Sequence, residues 1–125
     1  MNYISSPEIL YIHSRLVTEL KGKQGAKDIT VIKKVVSYIK NNDVFPDKFK
    51  KAGALFFAIA KKRPFVDSNL QTAIFITKMF LHINKYDLNI DGNNVNKFIK
   101  INLDDAKVDD IAEWLQENSI PITKS

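Results

Sequence analysis

At 125 residues the chain fits one domain with a real core and is too short for two. Hydrophobic residues make up 45% and charged residues 26%, which favours a packed globular state over disorder. There is no cysteine, and only His13 and His82 represent histidine, so disulfides, thiolate nucleophiles and Cys-ligated metals are excluded and an all-protein zinc cage is disfavoured.

The net charge of +5 is unevenly placed: residues 1–63 sum to +8 and residues 64–125 to −3. A basic half favours acidic partners such as nucleotide phosphates, nucleic acid or an acidic protein segment. A solvated lysine-rich surface explains the same counts. No Arg-rich tract or basic helix with interleaved aromatics occurs, so nucleic acid is not expected. The longest strongly apolar stretch, Ala52 to Ala60, is far shorter than the ~20 residues of a membrane span. Met1-Asn2-Tyr3-Ile4 lacks the regions of a signal peptide. A cytoplasmic protein that avoids membranes is expected, as a single domain over residues 1–125.

Ser5-Ser6-Pro7-Glu8 opens a first helix, with a Ser cap, Pro in the first turn and Glu8 three residues after Ser5. Ile9, Ile12, His13, Leu16, Val17 and Leu20 form its face, and Lys21-Gly22 ends it. Asp28 caps a second helix striped by Ile29, Ile32, Val35, Val36 and Ile39. Asn41-Asn42-Asp43 is turn chemistry. A third helix begins near Pro46-Asp47, with Phe49, Ala52, Leu55, Phe56, Ile59 and Ala60, and is apolar on more than one side, so it is central. Lys61 to Asn69 breaks the pattern, because Pro64 disfavours helix at Arg63. A fourth helix carries Ala73, Ile74, Ile76, Thr77, Phe80, Leu81 and Ile83. Tyr86–Ile90 is a short extended piece in a turn region. Val95, Phe98 and Ile99 mark a fifth helix, and Val108, Ile111, Ala112 and Leu115 a sixth that Pro121 stops. The expectation is an all-α domain of six helices with at most one small hairpin.

The informative stretch is Arg63-Pro64-Phe65-Val66-Asp67-Ser68-Asn69-Leu70-Gln71-Thr72-Ala73. It is a loop running into the N-terminus of a buried helix, where free N–H groups and the helix dipole attract phosphate. Asp67 at its mouth suits Mg²⁺, which takes a carboxylate together with phosphate oxygens, and Phe65 anchors the loop. Asp-Ser-Asn before a helix is more often just an ordinary cap. His82 lies 13 residues past Asn69, roughly 20 Å along a continuous helix, and is a helix-face histidine. His13 lies on an apolar face and reads as structural, with a site role open. Glu113-Trp114 reads as an exposed acid beside a packing aromatic.

This stretch resembles the Fic/Doc signature H-P-F-x-D-G-N-K-R-T-A through Pro64, Phe65, Asp67, Asn69, Thr72 and Ala73. Ile12-His13, Gly25-Ala26-Lys27-Asp28, Ala52 to Ala60, Phe80 to Asn84 and Ile111 to Leu115 resemble further segments of Doc, the death-on-curing toxin branch of the family. The resemblance implies a compact six-helix Fic/Doc (Fido) fold with room for a small β-hairpin flap. It also implies transfer of a phosphoryl or nucleotidyl group from ATP or another nucleoside triphosphate, with Mg²⁺, to a protein hydroxyl. Doc proteins are toxins held by a cognate antitoxin, and the Doc target is elongation factor Tu. In the family the motif His is the general base, the Asp holds Mg²⁺, the Gly and Asn shape the anion hole, and the Lys and Arg bind phosphates. The implied site is therefore Arg63 and Asp67 at the catalytic positions, Asp67 at the metal, Ser68, Asn69 and Gln71 at the phosphates, and Phe65 as the anchor.

The departures fall on the chemistry. Arg63 stands for the His, Ser68 for the Gly, Leu70 for the Lys and Gln71 for the Arg. A guanidinium is always protonated and takes no proton from a hydroxyl, and a general base is worth ~10²–10⁴ in rate. Lys61, Lys62 or Arg63 restores part of the lost charge. These residues fit nucleotide binding better than ordinary transfer. Three readings follow: an atypical Doc-like toxin, a nucleotide-binding pseudoenzyme, or an antitoxin-binding module without transferase activity.

Overall fold

Polar caps start the first three helices of the computed structural model, which describes residues 1–102 and 105–123. Ser5 caps α1 (Ser6–Leu20): its hydroxyl accepts from the Glu8 amide, and the Glu8 carboxylate accepts from the Ser5 amide at 3.1 Å. Lys21, left-handed at φ 57°, closes α1, and Gly22 N–H donates back to Val17 O at 2.9 Å. Asp28 caps α2 (Ile29–Tyr38). Asp47 caps α3 (Lys48–Ala60) by accepting from the amides of Phe49 at 2.8 Å and Lys50 at 2.9 Å. After an irregular loop come α4 (Asn69–Ile83), the short strand β1 (Tyr86–Leu88), α5 (Gly92–Asn102), α6 (Val108–Glu117) and β2 (Ser119–Pro121).

These six helices of the described residues match the periodicity read from the sequence. Helix α3 is the central one. Phe49, Leu55, Phe56 and Ile59 are buried around its circumference, and it packs against α4, α6 and α2. Trp114 of α6 stacks on Phe98 with centroids 4.3 Å apart and meets Phe56 edge-on at 5.9 Å. It is the packing aromatic beside the exposed Glu113. Of the apolar marks of α5, Val95 and Phe98 are buried, whereas the side chain of Ile99 falls outside the described set.

Two features depend on the tertiary structure. Lys51 is 0% exposed on α3, and its ammonium donates to Ile39 O and, at 2.8 Å, to Asn42 Oδ1. It thus satisfies carbonyl oxygen at the end of α2, where cations are favoured. The expected small hairpin is an antiparallel pair with Tyr86 opposite Pro121 and Leu88 opposite Ser119. Its strands are joined through α5 and α6 and not by a tight turn. Pro121 sits within β2, and α6 has already stopped, with Asn118 Nδ2 and Ser119 Oγ donating to the carbonyls of Trp114 and Leu115 at 2.8 and 2.7 Å.

No helix of the described residues is long and apolar enough to cross a membrane.

The α3–α6 contact is close because residue 53 has no side chain. A Cβ there would lie 2.9 Å from Val108 O and 3.1 Å from Ala112 N, both backbone atoms that cannot swing aside. Gly53→Ala is expected to destabilise the fold by about 1–3 kcal/mol. The measurement is a lower urea midpoint at unchanged slope. An unchanged midpoint would mean that α3 and α6 are not packed this way.

Candidate functional site

The loop between α3 and α4 is held by its backbone. Arg63 takes the left-handed conformation at φ 50° with its side chain exposed. Pro64 is buried, and its carbonyl accepts from the amides of Lys27 at 2.7 Å and Asp28 at 3.0 Å. Val66 N–H donates to Gly25 O at 3.0 Å, and Ala26 forms an antiparallel bridge with Phe65. Residues 25–28, read above as a family-like turn, are thus the strip on which the motif loop rests. Gly25 at φ 123° occupies a conformation that side chains rarely adopt.

Phe65 is fully buried and stacks on His13 with centroids 3.6 Å apart and planes 7° from parallel, as an anchor should. The Asn69 side chain, 6% exposed, closes the loop: its Oδ1 accepts from Phe65 N–H at 2.9 Å and its Nδ2 donates to Phe65 O at 3.0 Å. Asn69 therefore acts by shaping the loop. Ser68, left-handed at φ 60°, then turns the chain into α4, and its carbonyl takes the Thr72 amide and hydroxyl.

At this turn lies a cleft of about 390 Å³. Arg63, Asp67, Ser68, Asn69 and Gln71 all line it, together with Lys61, Val66 and Leu70, so the motif positions converge. No side chain caps α4, which leaves its first turn with the unpaired N–H groups of a helix start. Lys61 and Lys62 part company. Lys61 lines this cleft, while its ammonium reaches Ala106 O at 3.2 Å and lies over the Phe57 ring. Lys62 opens onto a different groove.

Asp67 is gripped from two sides. Its Oδ2 accepts from Lys23 N–H at 3.0 Å and its Oδ1 from Ser68 N–H at 2.8 Å. These bonds, that from Lys23 foremost, hold the carboxyl below the usual carboxylate range. Its carbonyl accepts from His13 Nε2 at 2.9 Å, which places the ring proton on that nitrogen. His13, 2% exposed, supports the loop from beneath. His82 is exposed in the last turn of the unbroken α4, far from the cleft. Among the described residues no group of three or more His, Cys, Asp or Glu gathers as a metal cage. A cation held at Asp67 would have one protein carboxylate and take its other oxygens from phosphate and water, the usual Mg²⁺ arrangement. Each Asp67 oxygen keeps a lone pair beyond the N–H bond it accepts, so the residue fits that task.

The grip of Lys23 on Asp67 was not legible in the sequence. Lys21-Gly22 reads only as a helix stop, and nothing local says which side chain will approach residue 22.

The Fic/DOC family model matches residues 3–81, well over half of the chain and including the whole motif loop. The chain belongs to the Fic/DOC family. No curated protein matches it.

The depressed pKa sets a direction for acid titration. The N–H bonds favour the ionised form, so their contribution to stability is complete above the ordinary carboxylate value of 3.8 and lost as pH falls through the lower folded value. Carboxyl-carbon NMR is expected to show Asp67 titrating below 3.8, with the Lys23 and Ser68 amides shifting in the same step. Titration at or above 3.8 would show that the two bonds are absent.

Proposed function

We propose that the protein is an atypical Doc-like toxin that binds a Mg²⁺–nucleoside triphosphate at the start of α4 and transfers a phosphoryl or nucleotidyl group to a protein hydroxyl, with elongation factor Tu as the target to test. The observation that carries this reading is the convergence of Arg63, Asp67 and the uncapped first turn of α4 on one cleft. The first-turn amides and the Arg63 guanidinium bind phosphate oxygens, and Asp67 is the one carboxylate in that lining. Bound Mg²⁺ supplies neutralisation of phosphate charge. In the transfer the target oxygen bonds to phosphorus, the bond to the bridging oxygen breaks, and nucleoside diphosphate or pyrophosphate leaves. Arg63 stabilises the charge on the departing group, while the hydroxyl proton passes to water.

A second reading, nucleotide binding without transfer, is favoured by Arg63 itself. It stands where the family has its base and holds its proton at any physiological pH. Leu70 in the cleft lining adds no cation.

Calorimetry with ATP and GTP in Mg²⁺, followed by label transfer to elongation factor Tu, separates the readings. The parent is expected to bind nucleotide and transfer slowly. Asp67→Ala abolishes Mg²⁺-dependent binding without unfolding. Arg63→His with Leu70→Lys and Gln71→Arg raises transfer, by about 10²–10⁴ for the restored base alone. Binding without label in either protein supports the second reading. No binding by the parent leaves an antitoxin-binding module.

The partner proposed is an acidic antitoxin helix. Its seat is the groove of about 290 Å³ between α2, α3 and α6, where Val31, Val35, Phe57 and Val108 offer an apolar floor and Lys34 and Lys62 a basic rim. Gln71 is uncharged and cannot form an ion pair with a glutamate of such a helix, so inhibition works by occlusion. The product of an adjacent antitoxin-like reading frame is expected to bind in a pull-down, with an on-rate that falls as salt rises. Failure to bind at low salt removes this partner.

A further inference from the structure

The C-terminus of α1 enters the site through its backbone. The left-handed Lys21 turns the chain, Gly22 N–H returns to Val17 O, and Lys23 N–H is thereby aimed at Asp67 Oδ2 at 3.0 Å. Residue 22 lies so near that a Cβ would stand 2.7 Å from Asp67 Oδ2 and 3.2 Å from its Cγ. His13, on α1 itself, holds the Asp67 carbonyl at 2.9 Å. Helix α1, through His13, and the turn that closes it, through Lys23, thus hold the main chain and the carboxylate of Asp67.

We infer that Gly22 and the Lys23 amide are positioning elements for the metal-binding carboxylate, and that glycine is required at 22 to let the carboxylate reach that amide. The inference rests on the reading of Asp67 as the Mg²⁺ ligand given above. A carboxylate oxygen that accepts a fixed N–H keeps one orientation, and its other lone pairs then point where a cation can use them. Groups that orient a metal ligand in this way are worth about 10–100-fold in metal affinity. An added Cβ at 22 meets the far end of a flexible side chain, not backbone, so the carboxylate swings aside while the fold stays.

Two variants disturb the contact independently: Gly22→Ala displaces the carboxylate, and Lys23→Pro deletes the donor. Each is expected to weaken Mg²⁺ affinity of the protein–ATP complex about 10–100-fold, in a protein that still folds cooperatively. The spectroscopic signature is separate: in amide NMR of the ligand-free protein, Asp67→Asn is expected to move the Lys23 resonance as well as that of Ser68. Unchanged Mg²⁺ affinity in a folded Gly22→Ala or Lys23→Pro variant overturns the inference. A Lys23 resonance indifferent to Asp67→Asn overturns the contact itself and leaves the proposed function standing. A parent that binds no Mg²⁺–ATP overturns that function, and the positioning role with it, even where the Lys23 resonance responds.

Discussion

The clasp of the Asn69 amide on the Phe65 backbone is the constraint on which the site depends. One side chain satisfies both polar groups of a buried residue, and a buried amide left unpaired costs about 1–3 kcal/mol per group. The clasp fixes where residues 66–68 lie between its two ends. It also holds the chain through two unfavourable left-handed residues, Arg63 and Ser68, each costing about 1–2 kcal/mol for a side chain with a Cβ. The bonds from Pro64 O to the 27 and 28 amides and from Val66 N–H to Gly25 O hold the other flank. The result is a turn whose shape is determined by backbone and by one amide. Its exposed face is then available to chemistry.

Much of this was legible because it is written in local rules. Ser5 with Glu8, Asp28 and Asp47 are caps whose partners lie two or three residues on, and they start α1, α2 and α3 as expected. Pro64 and the apolar Phe65 mark a loop with an anchor. The motif spacing from Arg63 to Gln71 is short enough that one loop and one helical turn bring those positions together. What was not legible is long-range. Lys51 interrupts no helical pattern, and only the approach of the α2 end gives its ammonium a buried partner. Gly53 looks like a weak helix residue until α6 lies against it. The β1–β2 pairing joins segments separated by two helices, and the Lys23–Asp67 bond spans 44 positions. Each is a statement about which surfaces meet, and periodicity carries no information on that.

His13 shows how a structural and a functional reading can share one residue. It is buried and stacked, as a core histidine would be. Yet the atoms it contacts belong to the motif: the Phe65 ring and the Asp67 carbonyl. It has no access to the cleft for proton transfer, because its Nε2 proton is already committed to that carbonyl. Its influence on the site passes through the loop's position, and the cleft at Arg63 gains no histidine from it.

Position 63 explains how the fold of this family and its usual chemistry separate. None of the hydrogen bonds that shape the loop uses the side chain at 63: they come from Pro64 O, Phe65 N and O, and Val66 N. The side chain is exposed at the cleft, so exchanging imidazole for guanidinium leaves the scaffold intact. A guanidinium, unlike an imidazole, cannot accept a proton, and it brings a permanent positive charge to the cleft. Leu70 and Gln71 have no cation to offer, so Arg63 is the fixed guanidinium of the lining. The loop geometry is thus kept by residues other than 63, and the side chain at 63 is free to differ without cost to the scaffold.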